Sequence, residues 1–203
     1  MDDRPLSECT KDIYDRHAAG FDRQRGRSFF EQGWIDRALA DVPPGGAVLD
    51  LGCGAGEPVA RYLIGRGFAV TGADFAPAML DLCRARFPDA DWRLADMRTL
   101  DLGRRFDAII GWNSFFHLTE AEQRAALPRI AGHLAPGGRL LLTVGPDAGK
   151  VTGTVDGQTV FHASLAPREY RAVLARAGSP VEAFVPEDPT CHFHSLLLAR
   201  RPR

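Results

Sequence analysis

The chain contains 203 residues, of which 45% are apolar and 25% are charged, and its formal net charge is -1. This length suits one domain with a sizeable core, and so small a charge provides no general attraction for nucleic acid or a membrane surface. No apolar run approaches the ~18 residues of a membrane span, and the acidic N-terminus "MDDRPLSECT" lacks the apolar stretch of a secretory signal. The four scattered cysteines have no C-x-x-C spacing. Their pattern favours a reducing, cytoplasmic setting over a disulfide framework or a zinc site.

Short apolar runs alternate with helical patterns along most of the chain. In chain order the predicted strands are "AVLDLG", "FAVTGAD", "DWRLAD", "FDAIIGW", "RLLLTVG", "VEAFV" and "FHSLLLA". Helical patterns cover residues 57–66, 76–87, 119–134 and 166–178. This alternation is typical of βαβ units, in which a mostly parallel sheet is covered by helices on both faces. The sequence therefore predicts an α/β fold with a doubly wound sheet of about seven strands.

The two ends of the chain depart from this alternation. The last two strands, near 181–185 and 193–199, are separated only by "PEDPTCH". Because this gap is too short for a crossover helix, the last strand is expected to run antiparallel. Residues 1–40 precede the first strand and have a helical pattern, so they are expected to form a cap over the sheet's edge.

Glycines are concentrated in the segment "VLDLGCGAGEP", where Gly52, Gly54 and Gly56 follow the first strand. Each glycine within an element costs about 0.5–1 kcal/mol relative to alanine, so three of them suggest that a ligand approaches the backbone closely. A dinucleotide-binding G-x-G-x-x-G pattern would need glycine where Glu57 stands, and Pro58 removes an N–H donor from the helix start. A ligand without phosphate therefore fits this turn better.

The pattern D-x-G-x-G-x-G, which starts at Asp50, resembles motif I of the class I S-adenosylmethionine (SAM) methyltransferases. The resemblance covers roughly residues 45–145 in strand order and motif spacing. The overall pattern, including "YDRHAAGFDR" before the sheet, is most similar to bacterial small-molecule methyltransferases. It implies a Rossmann-like fold that uses SAM as cofactor and releases S-adenosylhomocysteine. It also implies one domain, 1–203, with a helical cap (1–40), a cofactor-binding core (45–145), a flap (146–165) and a C-terminal helix and strand pair (166–203).

An acid follows the second strand at the spacing expected for a ribose ligand. Asp74, 22 residues after Gly52, can accept both ribose hydroxyls, although aspartate is also a favoured N-cap for the next helix. By resemblance, Asp96 accepts the adenine amino group and the Met97 N–H donates to a ring nitrogen. Tyr14 closes over the methionine end of SAM or packs on the sheet, and Phe75 and Met79 contact the adenine or belong to the core. The predicted cofactor-binding residues are Tyr14, Asp50, Gly52, Cys53, Gly54, Gly56, Asp74, Phe75, Met79, Asp96, Met97 and Trp112.

The methyl acceptor is expected to be a small molecule. Nucleic-acid amino-methyltransferases of similar fold carry an Asp/Asn-Pro-Pro-aromatic run after the fourth strand, whereas this chain reads "NSFF" there. No basic stripe runs through the chain, and Arg23, Arg25 and Arg27 are expected to be solvated. Neither nucleic acid nor a membrane is therefore a predicted partner. The acceptor atom (carboxylate, thiol, amine or hydroxyl) and the choice between monomer and dimer stay open.

The acceptor pocket is expected to form from residues 112–117, 146–165 and 186–194. The "VDGQ" turn predicts a hairpin in the second segment, of the kind that excludes water once substrate is bound. No metal is predicted, because the H-x-H and C-H spacings are not those of common zinc sites. Cys191 and His192 are expected near the mouth. The predicted acceptor residues are Asn113, Phe116 and His162 for binding, with His117 and His194 as candidate catalytic bases or hydrogen-bonding groups.

Two other functions remain compatible with the sequence. One is a SAM-binding protein of this fold that has lost catalysis, since methyl transfer has no obligatory catalytic residue whose loss would reveal it. The other is a nicotinamide-dependent reductase, which Glu57 and Pro58 disfavour. Calorimetry with SAM, S-adenosylhomocysteine and NADH would separate the reductase from the other two, and product detection would separate the enzyme from the binding protein.

Overall fold

A computed structural model describes residues 5–203, in which strands and helices alternate. Its nine strands are β1 (Ala47–Leu51), β2 (Ala69–Asp74), β3 (Asp91–Leu94), β4 (Phe106–Gly111), β5 (Leu134–Val144), β6 (Gly149–Val155), β7 (Gln158–Ser164), β8 (Val181–Asp188) and β9 (His194–Arg200). The α-helices of these residues are α1 (Leu6–Arg16), α2 (Ala18–Gln24), α3 (Gln32–Leu39), α4 (Val59–Gly65), α5 (Pro77–Arg86), α6 (Glu120–Gly132) and α7 (Pro167–Arg176).

Seven of the strands form one sheet in the order β3-β2-β1-β4-β5-β9-β8. β1 pairs in parallel with β2 and β4, and β9 runs antiparallel to both β5 and β8. This arrangement confirms the predicted α/β, Rossmann-like sheet with an antiparallel last strand. The strand order reverses between β1 and β4, so a ligand crevice is expected at the carboxyl ends of these two strands.

The central strands are buried on both faces, and alternate side chains enter two separate cores. Leu49 and Leu51 pack with α6 and α7 on one face, while Val48 packs with α3 and α4 on the other. This is the period of two that a strand imposes on its side chains. The expectation that residues 1–40 lie over the sheet's edge is wrong for α3. The apolar side chain of Ile35 buries α3 against the sheet face instead.

The first two helices lie beside the loops at the carboxyl edge of the sheet. Ala18 of α2 packs with Ala55 and Met79, and Asp15 accepts a hydrogen bond from the Ala78 N–H at 2.9 Å. β6 and β7 form a separate hairpin, as the "VDGQ" turn predicts. Asp156 and Gly157 of its turn have φ values of 47° and 77°, the left-handed conformation that two-residue hairpin loops require.

The hairpin is attached to the N-terminal helices at several points. Val155 and Val160 pack on Ile13 of α1. Asp156 accepts hydrogen bonds from His17 Nδ1 at 3.0 Å and from Gln24 Nε2 at 2.8 Å. The hairpin is therefore packed against α1 and α2. Its role as a flap stays a prediction.

The helices begin and end within two residues of their predicted bounds. α6 starts at a capping box, in which Thr119 and Glu122 exchange side-chain and backbone hydrogen bonds. α4 starts at Val59, two residues late, because the glycine turn continues to that point. No helix within residues 5–203 combines the length and the apolar character needed to traverse a bilayer.

Candidate active site

The glycine turn after β1 has a backbone that only glycine adopts without strain. Gly52, Gly54 and Gly56 have φ values of +73°, +51° and +78°. A Cβ added to Gly52 would lie 2.3 Å from the Cβ of Ser114, so this glycine also allows the loop after β4 to approach. A Cβ on Gly54 would meet only a ring carbon of Phe21, at 3.6 Å. The turn thus leaves bare backbone facing the crevice at Gly52 and Gly54.

An open cavity lies between this turn and the N-terminal helices. Ten of the twelve predicted cofactor residues line it, namely Tyr14, Asp50, Gly52, Cys53, Gly54, Asp74, Phe75, Asp96, Met97 and Trp112.

The other two predicted cofactor residues do not line this cavity. Met79 is fully buried in the cluster that joins α2 to α5. Gly56 is turned towards Phe87, whose ring would lie 3.1 Å from a Cβ at this position. The structure therefore gives both residues a packing role, because Met79 points from α5 towards α2 and Gly56 faces the end of α5.

Two buried carboxyl groups lie on the floor of the cavity. Asp50 is 2% exposed, and within residues 5–203 its Oδ2 atom has no hydrogen-bond partner. Burial, with the charge of Asp74 as the second cause, raises the pKa of Asp50 to about 7. Burial likewise raises the pKa of Asp74 to about 6, against the backbone hydrogen bonds that it accepts. A buried oxygen without a partner is unusual in a folded protein, and here it marks a place where a cation or donor would be stabilised.

Asp74 is not the N-cap of α5, which is Ala76, and its role as a ribose ligand stays a prediction. Its Oδ1 accepts the Ala76 N–H at 2.9 Å at the start of α5, and its Oδ2 accepts the Gly54 N–H at 2.9 Å. Each oxygen has a second lone pair, and the residue lines the cavity. Asp74 therefore holds the glycine turn in shape and keeps acceptor capacity for a ligand hydroxyl.

Asp96 lies at the far end of the cavity as half of an ion pair. The Nε atom of Arg98 is 2.9 Å from both of its carboxylate oxygens, and the Arg98 N–H donates to Oδ1 at 2.9 Å. Burial raises the pKa of Asp96, but the hydrogen bonds from Arg98 outweigh burial and lower it overall. Arg98 also lines the cavity, although no sequence pattern indicated it.

Tyr14 and His117 connect the cofactor cavity to the hairpin. His117 Nδ1 lies 3.0 Å from the Phe161 carbonyl oxygen, which can only accept, so Nδ1 carries the proton. Nε2 then accepts from the Tyr14 hydroxyl at 2.9 Å. Burial lowers the pKa of His117 to about 4 and raises the pKa of Tyr14 above its usual range. His117 is thus a neutral bridge with both nitrogens engaged, which favours a positioning role over the predicted base role.

A second open cavity adjoins the first and shares Tyr14, Phe21, Arg25 and Asn113 with it. Its walls are the β6–β7 hairpin on one side and residues 187–195 on the other. The predicted acceptor residues Asn113, Phe116, His162 and His194 line it, together with His192, whereas His117 lines the first cavity.

The histidines of the second cavity are held by neighbouring rings. His162 is packed against Phe116, with ring centroids 4.4 Å apart, and burial lowers its pKa. His194 stacks on Trp112 at 5.4 Å and lies 2.9 Å from the Cys191 carbonyl, to which its Nδ1 donates. When this histidine is neutral, its Nε2 is therefore an acceptor. Cys191 was expected near the mouth, but it is 1% exposed and does not line the cavity.

Arg25 was expected to be solvated, and this prediction is wrong. Its side chain is 17% exposed and pairs with the fully buried Glu31 at 2.9 Å. It lines both cavities. Its position in a polar stretch resembles a surface run, so nothing in the sequence reveals the buried acid that holds it. Across residues 5–203, no group of three or more His, Cys, Asp or Glu side chains is arranged to hold a metal ion.

Comparisons with known proteins agree with this architecture. Residues 48–138 match the family model of a methyltransferase domain. A dTDP-3-amino-3,4,6-trideoxy-alpha-D-glucopyranose N,N-dimethyltransferase from Streptomyces venezuelae is 32% identical over 174 residues, which are 79% of this chain and 71% of that protein. A dTDP-3-amino-3,6-dideoxy-alpha-D-glucopyranose N,N-dimethyltransferase from Streptomyces fradiae is 40% identical over 98 residues, 47% of this chain but only 38% of that protein.

The fold comparison extends over nearly the whole chain. The SAM-bound structure of an amino pentose methyltransferase from Micromonospora echinaspora, involved in calicheamicin biosynthesis, has a TM-score of 0.70 and is 28% identical. The match covers 92% of this chain and 96% of that chain.

Proposed function

The chain belongs to the class I SAM-dependent methyltransferases, and on this premise we propose that it methylates an amino group of a small molecule. When bound, SAM supplies a methyl group on a sulfonium, and displacement by a nucleophile releases S-adenosylhomocysteine. Family membership excludes the nicotinamide-dependent reductase considered from the sequence. The relatives described above are named for their action on amino sugars, which supports an amine acceptor here.

The residues of the first cavity fit SAM in chemistry. The bare backbone at Gly52 and Gly54 admits a ligand that touches the main chain. We assign Asp50, with its buried unpartnered oxygen, to the cationic end of SAM, because a carboxylate stabilises a nearby cation. Asp74 has acceptor capacity for the ribose hydroxyls, and Asp96 with the Met97 N–H suits the adenine edge.

The residues that line the second cavity orient the acceptor amine more than they transfer its proton. An acceptor that enters as an ammonium first loses a proton to water in the open cavity, which frees the nitrogen lone pair. The unprotonated amine is then a nucleophile, so the protein must hold it in line with the methyl group and exclude other conformations. His194, whose Nδ1 donates to Cys191, has Nε2 free in its neutral form to accept an amine N–H. After transfer, the new ammonium loses its proton to water in the open cavity. No step requires His117 as a base.

The charge of the second cavity is the observation that carries the choice of an amine. Asp147 and Glu187 line it and are exposed, whereas Arg25 is already paired with the buried Glu31. An acceptor carboxylate would enter a site that is net negative and whose one arginine is engaged. An amine, which is cationic in water, is attracted to the same site.

The proposal is tested with three acceptors that differ in one group: methyl 3-amino-3-deoxyglucopyranoside, methyl glucopyranoside and methyl glucuronoside. Each is incubated with the protein and SAM, and S-adenosylhomocysteine and methylated product are measured by mass spectrometry. We expect product only from the amine, and none with the Gly54→Val variant, which should not bind SAM. Methylation of the glucuronoside carboxylate without methylation of the amine would contradict the proposal. Release of no product from any acceptor would support the non-catalytic binding protein.

A further inference from the structure

The second cavity is poorly suited to a phosphate-bearing acceptor. Among residues 5–203 it is lined by one arginine and no lysine. That arginine, Arg25, donates to Glu31 at 2.9 Å. Lys150 lies on the hairpin but does not line the cavity, and its ammonium is 3.4 Å from Glu120. A nucleoside diphosphate needs several cations or free N–H donors, and it would instead meet Asp147 and Glu187.

An exposed aromatic ring stands at the mouth of this cavity. The side chain of Phe193 is 70% exposed, and its backbone has a φ of 57°, directly after His192 with a φ of 48°. Two successive non-glycine residues in the left-handed region are rare and strained. Such strain persists only where the surrounding structure imposes it, and it is concentrated at functional sites.

The structure shows what imposes this conformation. Asp188 accepts hydrogen bonds from the Thr190 N–H at 2.8 Å and from Trp34 Nε1 at 2.8 Å, and its carbonyl accepts the Phe193 N–H at 2.9 Å. The His192 ring stacks on Phe30, with centroids 4.1 Å apart and planes 3° apart. The turn is thus held by hydrogen bonds and stacking on its inner side, which leaves the Phe193 ring in solvent.

A second exposed apolar side chain lines the same cavity. Val151 of the hairpin is 66% exposed, and it lines the same cavity as Phe193 and Phe116. Single exposed apolar side chains are ordinary on protein surfaces. Here two of the three large apolar side chains that are exposed among residues 5–203 line one cavity, and one of them, Phe193, is held there by a strained turn.

From these observations we infer that the acceptor is an amine on an apolar, ring-bearing body without a nucleoside diphosphate, and that Phe193 is the residue that selects this body. The inference rests on the proposed amine methylation and specifies its substrate class. It sets this chain apart from the two sugar methyltransferases described above, whose names give dTDP-linked sugars as substrates.

The test compares one amino sugar in three forms: the phenyl glycoside, the methyl glycoside and the dTDP-linked form of 3-amino-3,6-dideoxyglucose. Methyl transfer is followed by S-adenosylhomocysteine release at saturating SAM. Burial of a phenyl ring is expected to raise kcat/KM about tenfold or more for the phenyl over the methyl glycoside. The dTDP-linked sugar is expected to be the poorest of the three, because its phosphates would face two carboxylates.

Phe193→Ala should reduce the preference for the phenyl over the methyl glycoside to about threefold or less, with an unchanged Kd for SAM. Leu94→Ala is the matched control, since Leu94 is 61% exposed on the edge strand β3 and lines neither cavity. Asp147→Asn with Glu187→Gln should raise kcat/KM for the dTDP-linked sugar and leave the phenyl preference in place.

The outcomes separate this inference from the function on which it rests. Preferred methylation of the dTDP-linked sugar would overturn the inference and leave amine methylation intact. A phenyl preference that Phe193→Ala leaves unchanged would also overturn it. Absence of methylation with all three forms, while SAM still binds, would overturn both.

Discussion

Asp50→Asn is expected to weaken SAM binding and to reduce its dependence on pH. Asp50 lines the cofactor cavity, and burial together with the charge of Asp74 raises its pKa to about 7. A bound cation favours the ionised carboxylate and lowers that pKa. SAM carries an ammonium and a sulfonium, so its binding should release a proton from Asp50 at pH values between the lowered pKa of the bound state and the free-state pKa of about 7.

The magnitude follows from the fraction of Asp50 that is ionised before SAM binds. With a pKa of about 7 in the free protein, about 3% is ionised near pH 5.5 and about 90% near pH 8. If bound SAM lowers the pKa below about 5, affinity should be roughly 30-fold weaker at the lower pH. The asparagine side chain of the variant has no charge to titrate, so the variant should bind with lower affinity near pH 8 and with a shallower profile. The slope that remains comes from Asp74, whose pKa is about 6.

The stability of the free protein as a function of pH provides an independent check that the pKa of Asp50 is raised and not lowered. A raised carboxyl pKa contributes stability that is full below the ordinary pKa of about 3.8 and is lost as pH rises through about 7. Above that pH, the wild-type chain holds a buried charge that Asp50→Asn removes. The variant is therefore expected to have a Tm at about pH 8 no lower than that of the wild type, even though it binds SAM less well.

Isothermal titration calorimetry with SAM measures the effect, in buffers of different ionisation enthalpy so that released protons are counted. Asp81→Asn is the matched control, because Asp81 is an exposed carboxylate on α5 that pairs only with Arg84 among residues 5–203. Its affinity should follow the wild-type pH profile. Wild-type affinity that is constant between about pH 5.5 and 8, or an equal slope in Asp50→Asn, would refute the reasoning.

Three further predictions concern other parts of the site. Gly54→Val should raise the Kd for SAM about 100-fold or more, because a β-branched residue disfavours a φ of +51° and fills the crevice; calorimetry and thermal melting separate this loss from unfolding. His117→Gln should lower kcat by about tenfold or less, short of the 10²–10⁴-fold expected for a lost base, and should leave the pH–rate profile unchanged. Tyr170→Phe should lower stability by about 1–3 kcal/mol in urea unfolding, since it leaves buried Gln123 Oε1 and the Leu165 N–H without their partner.

The fold and the position of the cofactor cavity could be predicted because they depend on local pattern. Runs of apolar residues with period two, separated by helical patterns, permit few arrangements other than a parallel sheet. The three glycines identify where bare backbone is needed, and the carboxyl edge of the sheet brings Asp74 and Asp96 to the same crevice. Both the sheet and SAM as cofactor are confirmed by the structure and the comparisons.

What could not be predicted depends on which side chains the fold brings together. Met79 and Gly56 belong to the right motifs, but Met79 points from α5 towards α2 and Gly56 faces the end of α5, directions that spacing does not reveal. Arg25 lies in a stretch that looks like solvated surface, and only the folded chain shows Glu31 beside it. The state of His117 likewise depends on Tyr14 and the Phe161 carbonyl, which are 103 and 44 residues away.

The predicted acceptor residues show most clearly that the sequence does not reveal which hydrogen bonds a side chain makes. Histidine at 117 and 194 looked equally suited to act as a base, since both follow or open strands at one edge of the sheet. The structure separates them: Tyr14 and Phe161 occupy both nitrogens of His117, whereas His194 gives only Nδ1 to Cys191. Only His194 therefore keeps an acceptor nitrogen for substrate. One hydrogen bond, between the Tyr14 hydroxyl and His117 Nε2, decides this difference. The contribution of each histidine therefore depends on the groups that surround it in the fold and not on its residue type.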